Sequence, residues 1–491
     1  MRKNSNLDGT SRESFQVDDF ELNVIDNAAA LPLLEESSPE SGSHVDTEET
    51  FELDDASQGV FTKIWYQDEE VVMYPANYEK VPVVRVQIAA MLLLFVMFGI
   101  TDEVNGSLLP TITEYYNVTE LQVSVVYFLQ LIGYMLASGL NDILHRKWGS
   151  QGVMTASCIT ASLTYAVLAL KPFSLYLYAL CFLPLGLCIG FMDSTGNFYF
   201  GNLEIRKNEL MGLLHGMYGL AAGVTPPLVT TLDYYFDWSY VFWIPCFFAV
   251  AGLVLCRVAF RYETPVKYRY VCDAGSDSSS EGETDYKWYN LSRFPPMIYL
   301  YALFLFLYLG TEIGVGTWLF TYLLKYQQGE RFLMSFVTSA FWSGITVGRL
   351  GLGFVTKKFK NEYWSSVWYG WTCSLFFSLF LLISMINSNS NFYYFMLSVM
   401  IFGAGVFMGP LFPNASVVAI QILPKNLQVS GIGTATALGG CGAAAITYGF
   451  GYFCKVFGFK YFPALCFFAA LSFNVLWMLY PKFIKGHREY L

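Results

Sequence analysis

Three carboxylic acids stand inside long apolar stretches of this 491-residue chain: Asp102, Asp193 and Glu312. An ionisable group within a membrane-spanning helix costs about 2.5–3.5 kcal/mol on insertion scales, so such groups usually serve a function. A carboxyl withdrawn from water favours its neutral form, which allows it to load and release a proton near neutral pH. The three acids are therefore candidates for proton coupling, and Asp193 is the first choice.

Small and polar residues accompany two of these acids at helical spacing. Gly99, Asp102 and Gly106 share one helical face, and Glu103 points about 100° away from Asp102. A second stripe consists of Gly186, Gly190, Asp193 and Asn197. Small residues let helices approach closely, so the carboxyls in such stripes are expected to face a cavity. The alternative is that each acid lies near a helix end and touches lipid headgroups.

Five further polar or aromatic side chains are candidates for lining the same cavity: Asn197, Asn105, Trp318, His215 and Asn414. Trp318 could stack against a sugar ring, and Asn414 follows Gly409-Pro410, where the helix is expected to break. His215 could titrate near neutral pH or make a structural hydrogen bond. For Arg349 we expect snorkelling to the membrane surface rather than an ion pair.

The composition indicates where these residues lie. Hydrophobic residues make up 54% of the chain and charged residues only 14%, whereas soluble domains average about 25% charged. Residues 1–83 hold 19 acids and 5 bases, and the rest holds 20 acids and 24 bases. The net charge of −10 is thus an acidic tail on a mildly basic body. This pattern argues against a soluble enzyme, a nucleic-acid binder and a disulfide scaffold.

Apolar segments of about 20 residues, the length that spans a bilayer, recur from residue 84 onward. The predicted spans are 86–109, 121–141, 151–170, 173–199, 209–232, 238–260, 297–324, 333–355, 364–386, 392–417, 427–453 and 461–480. The sequence thus predicts an all-α membrane protein with twelve transmembrane helices. Seventeen Lys and Arg flank the spans on the side of the termini and five on the other side, so both termini are expected in the cytoplasm.

The predicted domains follow from these spans. They are a disordered acidic cytoplasmic tail (1–83), a six-helix half (84–260), a cytoplasmic central loop (261–296), a second six-helix half (297–481) and a short cytoplasmic tail (482–491). Ser278 and Ser280 in the central loop each have Glu at +3, which suits an acid-directed kinase, although a plain solvated linker is an equally simple interpretation.

The two halves carry an internal repeat. Gly133 and Gly344 lie 211 positions apart, as do Arg146 and Lys357, and each pair falls on corresponding spans. Such repeats are typical of secondary transporters, whose solute site lies between the repeats. Nothing in the chain matches a nucleotide-binding loop or a metal-ligand motif, and no cofactor is expected.

These residues resemble the major facilitator superfamily. Gly139, Asp142, Arg146 and Gly149 resemble its signature between spans 2 and 3, and Lys357-Lys358 stand at the second copy. The string Gly190-Phe-Met-Asp193-Ser-Thr-Gly-Asn197 is similar to the fucose-permease-like branch, which includes fungal members. That resemblance implies that Asp193 couples protons, that Asp102 is the counterpart of an acid in span 1, and that the signature residues form a gating loop.

The expected function is proton-coupled symport of a sugar-like or small polar solute by a monomer in the lipid bilayer. Proton-driven efflux of amphipathic compounds and a non-transporting membrane sensor are the alternatives. The sequence is compatible with either the plasma or the vacuolar membrane.

Overall fold

The computed structural model describes residues 61–276, 296–386, 388, 390–422 and 425–483. We call the described residues before the central loop the N-terminal half and those after it the C-terminal half. Ser278 and Ser280, most of the acidic tail and nearly all of the short final tail lie outside the described residues.

Nearly all of the described chain is helical. The helices are α1 (Pro82–Tyr115), α2 (Glu120–Val123), α3 (Val125–Ala169), α4 (Leu175–Leu180), α5 (Phe182–Gly201), α6 (Lys207–Tyr235), α7 (Trp243–Ala259), α8 (Pro265–Ser276), α9 (Pro296–Lys325), α10 (Arg331–Thr356), α11 (Glu362–Ser384), α12 (Asn391–Met408), α13 (Leu411–Ile422), α14 (Lys425–Phe457) and α15 (Phe462–Phe483). Short 3-10 turns at Trp238–Phe242 and Phe459–Tyr461 precede α7 and α15.

Eight helical segments within the described residues are long and apolar enough to cross a membrane. Helices α6, α10 and α14 are not among them, although each contains one predicted span. All three carry several glycines and polar residues, which lower their hydropathy. These are also helices that face the cavity and the contact between the halves, so lipid does not have to cover them completely.

Helix α3 contains two predicted spans joined at a kink. Gly149 has φ +66°, which interrupts the helical backbone there. A Cβ atom at this position would come within 2.5 Å of the Glu263 carbonyl oxygen, so the turn requires glycine. The predicted gap between spans at 142–150 therefore corresponds to a kink rather than to a loop.

Glycines hold neighbouring helices in close contact in both halves. A Cβ on Gly133 would lie 2.1 Å from the Leu183 carbonyl oxygen, and one on Gly186 would lie 1.9 Å from that of Gln130. In the C-terminal half the same relation holds for two pairs, Gly344 with Phe402 at 2.2 Å and Gly405 with Phe341 at 2.3 Å. Backbone against backbone is the packing that small residues permit in membranes.

The prediction that residues 1–83 are disordered is wrong for the end of that range. Strands β1 (Thr62–Tyr66) and β2 (Glu69–Met73) form an antiparallel hairpin with Tyr66 opposite Glu69. Gln67 and Asp68 have positive φ, as a two-residue type I′ turn requires. The exposed acids Asp68, Glu69 and Glu70 at the hairpin turn concealed this short strand pattern at the level of composition.

The prediction of a plain linker for 261–296 is likewise incomplete, because α8 occupies its first part. The Tyr74 hydroxyl donates to Glu263 just before α8, and Lys267 Nζ lies 2.7 Å from the same carboxylate. The Lys267 ammonium also sits 3.9 Å from the centre of the Tyr74 ring. Burial and the adjacent Glu263 carboxylate raise the pKa of Tyr74. These contacts fix the hairpin against α8 and define what we call the hairpin end of the molecule.

Candidate functional site

A cavity of about 700 Å³ lies between the two halves. Its polar lining comes from both of them and consists of Asp102, Tyr127, Gln130, Tyr134, Asp193, Asn197, His215, Tyr218, Glu312, Arg349, Asn414, Ser416 and Thr436. The remaining wall is apolar and contains Phe95, Phe98, Leu131, Ile189 and Phe412 among others. All three predicted proton-coupling acids therefore share one enclosure, although they are far apart in sequence.

Asp102 is held by two neutral donors from other helices. Gln130 Nε2 on α3 donates to Oδ1 at 2.7 Å, and the Tyr218 hydroxyl on α6 donates to Oδ2 at 2.9 Å. Gln130 Oε1 is buried without a partner among the described residues. The carboxyl group is thus oriented by hydrogen bonds, and no cation among residues 61–276, 296–386, 388, 390–422 and 425–483 pairs with it, so its charge is not fixed by a described ion pair.

Asp193 begins a chain of hydrogen-bonded side chains along the cavity wall. The Tyr134 hydroxyl donates to its Oδ2 at 2.6 Å, and Asn197 Nδ2 donates to its Oδ1 at 3.0 Å. His215 Nε2 lies 3.3 Å from Asn197 Oδ1. The two polar residues of the stripe on α5 therefore line the cavity as the spacing predicts, whereas its two glycines pack against α3. His215 is both a cavity residue and a hydrogen-bonding partner.

Glu312 and Arg349 form an ion pair inside the C-terminal half. Arg349 donates from an Nη atom to Glu312 Oε1 at 2.8 Å, and the side chains of Arg349 and Glu312 are 10% and 3% exposed, respectively. The prediction that Arg349 snorkels to the surface is wrong, because a buried carboxylate lies within its reach. Glu312 Oε2 is buried without a partner among the described residues, so one acceptor remains available to a hydroxyl group of a solute.

Two of the five predicted cavity residues have structural roles instead. Trp318 is fully buried away from the cavity, and its indole N–H donates to the Thr447 carbonyl at 2.8 Å. Asn105 is also fully buried, and its Oδ1 accepts a hydrogen bond from the Tyr178 hydroxyl at 2.6 Å. Both predictions were wrong, because helical spacing alone does not indicate whether a buried helical face packs against another helix or lines a cavity.

Asn414 does line the cavity, at the break that the sequence predicts. Helices α12 and α13 are separated at Gly409 and Pro410, and Asn414 Nδ2 donates to Ser365 Oγ at 3.1 Å. The interruption turns polar backbone and an amide toward the enclosed space. Non-helical backbone at membrane depth is tolerated where it borders a cavity.

The halves are also joined by charged contacts at the end opposite the hairpin. Arg331 on α10 lies 2.7 Å from Asp233 on α6 and donates to Thr111 on α1. Lys325 on α9 pairs with Glu120 on α2. Toward the hairpin end, by contrast, a Cβ atom added to either of the cavity-lining residues Gly212 and Gly353 would meet no other atom within 4 Å. Ion pairs therefore join the halves at the end opposite the hairpin, and the cavity wall leaves open space at these two glycines toward the other end.

Comparison of the sequence with known proteins identifies the family of this chain. Residues 91–447 match the profile of the Major Facilitator Superfamily. The chain belongs to the major facilitator superfamily. It is 44% identical over 442 residues to Bypass of stop codon protein 6 of Saccharomyces cerevisiae, covering 87% of this chain and 89% of that protein. It is 25% identical over 271 residues to the glucose/mannose transporter GlcP of Bacillus subtilis, covering 54% and 64% of the two chains.

Membership in the superfamily establishes the coarse function. Its members are transporters and not enzymes, so this chain is a multi-pass integral membrane protein that moves a small-molecule solute. The resemblance to the superfamily that the sequence motifs carry is confirmed. The cavity between the halves has room for a small-molecule solute.

The residues of the superfamily signature lie outside the cavity, near the hairpin end. Arg146 Nε lies 3.0 Å from Asp142 one helical turn earlier on α3, and the Tyr268 hydroxyl on α8 donates to Asp142 at 3.3 Å. Burial and the nearby Cys272 and Asp142 raise the pKa of Tyr268. Lys357 and Lys358 are exposed in the turn after α10. Their role as a gating loop remains a prediction.

Several cavity residues were absent from the sequence prediction. Gln130, Tyr134 and Tyr218 hold the acids, and Arg349 pairs with one of them. Gln130 and Tyr134 lie four residues apart on α3, so a search for polar pairs on one helical face could have found them. Tyr218 gives no such signal, because a tyrosine within a span usually packs against neighbouring helices or lies at the membrane interface.

Proposed function

We propose that this transporter is a proton-coupled symporter of a sugar-like or other small polar solute, and that it works by alternating access. The observation that carries the proposal is the shared cavity. Asp102, Asp193 and Glu312 line one enclosure together with amide and hydroxyl groups that can bind hydroxyl-bearing solutes. Its volume of about 700 Å³ is in the usual range for small-molecule sites.

The twelve-span, two-repeat arrangement is part of this proposal. Counting α3 as two spans at Gly149, and adding α6, α10 and α14, gives twelve. The close contact of Gly133 with Leu183 recurs as Gly344 with Phe402, at offsets of 211 and 219 positions. This repeated glycine contact supports a rocking motion of two similar bodies. Both termini would then face the cytoplasm, and the protein would act as a monomer.

Asp193 is the proposed coupling site. Its carboxyl accepts hydrogen bonds from Tyr134 and Asn197, and no cation in the described part of the chain pairs with it, so gaining or losing a proton changes the net charge of the cavity. Asp102 is in a comparable position, with Gln130 and Tyr218 as its donors. A proton bound at either acid reduces the negative charge that must be kept out of water while the cavity is occluded. This energetic advantage would link proton movement to solute movement.

The test is uptake into reconstituted vesicles with an imposed pH gradient, using D-glucose, D-mannose and a panel of polyols as probes. Asp193→Asn should abolish gradient-driven accumulation while retaining exchange of solute across the membrane, because the neutral side chain mimics the protonated state. Asp68→Asn, in the exposed hairpin turn, is the matched control. Full gradient-driven accumulation by Asp193→Asn would refute the assignment.

Efflux of an amphipathic compound is the second candidate, and the apolar part of the wall favours it. Phe95, Phe98 and Phe412 face the same space as the acids. Vesicles of both orientations distinguish the two functions. Symport requires solute and protons to move in the same direction, whereas efflux driven by protons requires them to move in opposite directions.

A further inference from the structure

Trp342 joins the two halves at a point outside the cavity. It lies on α10, is 1% exposed, and its indole N–H donates to Glu103 Oε2 on α1 at 2.6 Å. The other oxygen of Glu103 accepts a hydrogen bond from Ser107 at 3.1 Å. Glu103 itself is 1% exposed and does not line the cavity. The adjacent acids on α1 therefore face different environments, Asp102 the cavity and Glu103 the contact between the halves.

The ring of Trp342 also supports a cavity residue. It packs edge-on against Tyr218, with ring centres 6.0 Å apart and planes at 79°. The Tyr218 hydroxyl is one of the two donors to Asp102. One indole thus contacts Glu103 through its N–H and reaches Asp102 through Tyr218, although it belongs to the opposite half.

The surroundings leave the indole little freedom. A Cβ on Gly316 of α9 would lie 2.6 Å from Trp342 Cζ2, so the ring rests directly on that helix. Nearby, a Cβ on Gly106 of α1 would lie 2.9 Å from the Thr317 Cα atom. Helices from the two halves are therefore in backbone contact beside the Glu103–Trp342 hydrogen bond. Separation of the halves at this level would break the bond.

We propose that Trp342 is a positioning residue that ties closure of the halves, at the end opposite the hairpin, to the placement of the Asp102 carboxyl. While the halves are closed there, the bond to Glu103 holds the indole, and the indole holds Tyr218 on Asp102. Separation of the halves breaks the bond and removes the support of Tyr218. This proposal rests on the proposed alternating access. It names the contact through which separation of the halves changes the position of a cavity side chain.

The first test measures closure without any solute. Ser339→Cys serves as a reporter on α10, because Ser339 is 9% exposed and lies one turn before Ser343, which contacts Gly223 of α6. Its labelling by a membrane-impermeant maleimide reports how often the halves separate. The parent chain without the reporter gives the background from the native cysteines.

Two substitutions remove the bond and one preserves it. Trp342→Phe keeps an aromatic ring but lacks the N–H, and Glu103→Leu lacks the acceptor. Each should raise the labelling rate about tenfold, which corresponds to about 1.4 kcal/mol. The double variant should label no faster than either single variant, because both remove the same bond. Glu103→Gln retains an acceptor for the indole and should label within about twofold of the parent.

The second test measures the effect on Asp102. Dicyclohexylcarbodiimide modifies protonated carboxyls within membranes, and mass spectrometry locates the product. Trp342→Phe should raise modification of Asp102 several-fold, as should Tyr218→Phe, because both weaken the same donor. Tyr218→Phe should leave reporter labelling at the parent rate, since its ring still contacts the indole.

Trp368→Phe is the matched control, because Trp368 is 62% exposed on α11. If Trp342→Phe does not fold, the Glu103→Leu and Glu103→Gln pair carries the test alone. Parent-like labelling of a folded Trp342→Phe or Glu103→Leu variant would overturn the proposal. So would equal labelling of Glu103→Gln and Glu103→Leu. Neither readout uses a solute, so a chain that shows these patterns but moves no sugar refutes the proposed substrate and not the positioning role.

Discussion

Replacing Arg349 by methionine removes the cation that pairs with Glu312 and leaves a carboxylate buried beside the cavity. The two side chains are 10% and 3% exposed, and the atoms that join them lie 2.8 Å apart. At an effective dielectric constant of about 20, opposite charges at that distance attract by about 6 kcal/mol. Removal of one member of a buried pair costs about 3–5 kcal/mol, because the remaining charge is uncompensated. We expect Arg349→Met to destabilise the protein by that amount.

The assay is thermal unfolding in lipid nanodiscs. Domains of 150–250 residues lose about 2–4 °C per kcal/mol, and the described part of this chain is larger, so the lower value applies. Arg349→Met should therefore lower the midpoint by about 6–10 °C. Glu312→Gln combined with Arg349→Met should recover most of the loss, since neither member then carries a charge.

The exposed pair of Lys63 and Glu70 in the hairpin provides the control. Its side chains are 51% and 40% exposed, and surface pairs contribute about 0–1 kcal/mol. Lys63→Met should thus shift the midpoint by no more than about 2 °C. A parent-like midpoint for Arg349→Met, or a double variant no more stable than that single variant, would refute the reasoning.

Three further predictions concern packing, the hairpin and a misassigned tryptophan. Gly186→Ala places a methyl group against the Gln130 backbone and should lower the free energy of unfolding by about 1–3 kcal/mol, measured by thermal unfolding. Gly212→Ala should leave that free energy nearly unchanged, because an added methyl group there meets open space. Tyr74→Phe removes a hydrogen bond to the Glu263 carboxylate, worth about 1.5–3 kcal/mol. Proteolysis within the hairpin should therefore become faster, while the affinity of the cavity for a ligand stays the same. An unchanged cleavage rate would contradict the anchoring of the hairpin by Tyr74. Trp318→Phe should lower the unfolding midpoint while solute affinity stays constant. A loss of solute affinity without a change in the midpoint would instead show that Trp318 contacts the solute.

Sequence patterns were informative wherever one helix decides the outcome. Asp193 and Asn197 line the cavity as their spacing predicts, because periodicity fixes the helical face that they share, whereas Gly190 packs against α3. The break before Asn414 follows in the same way from Gly409 and Pro410. Apolar length identified the membrane-spanning character, since the bilayer imposes that length on every helix that crosses it.

The side-chain contacts between helices could be identified only from the tertiary structure. Arg349 was expected at the surface and instead pairs with Glu312, and Trp318 was expected in the cavity and instead bonds to Thr447. Helical spacing says only that Glu103 faces away from Asp102, yet Glu103 meets Trp342, which lies 239 positions later in the chain.

The amino-acid pattern alone identifies a polytopic helical membrane protein, the acids within its spans and the helical face that each acid occupies. That three of these acids share one cavity, while a fourth joins the two halves, becomes visible only in the packing of the helices. Helical periodicity sets the direction of a side chain relative to its own helix axis, whereas its partner depends on how helices from distant parts of the chain pack together.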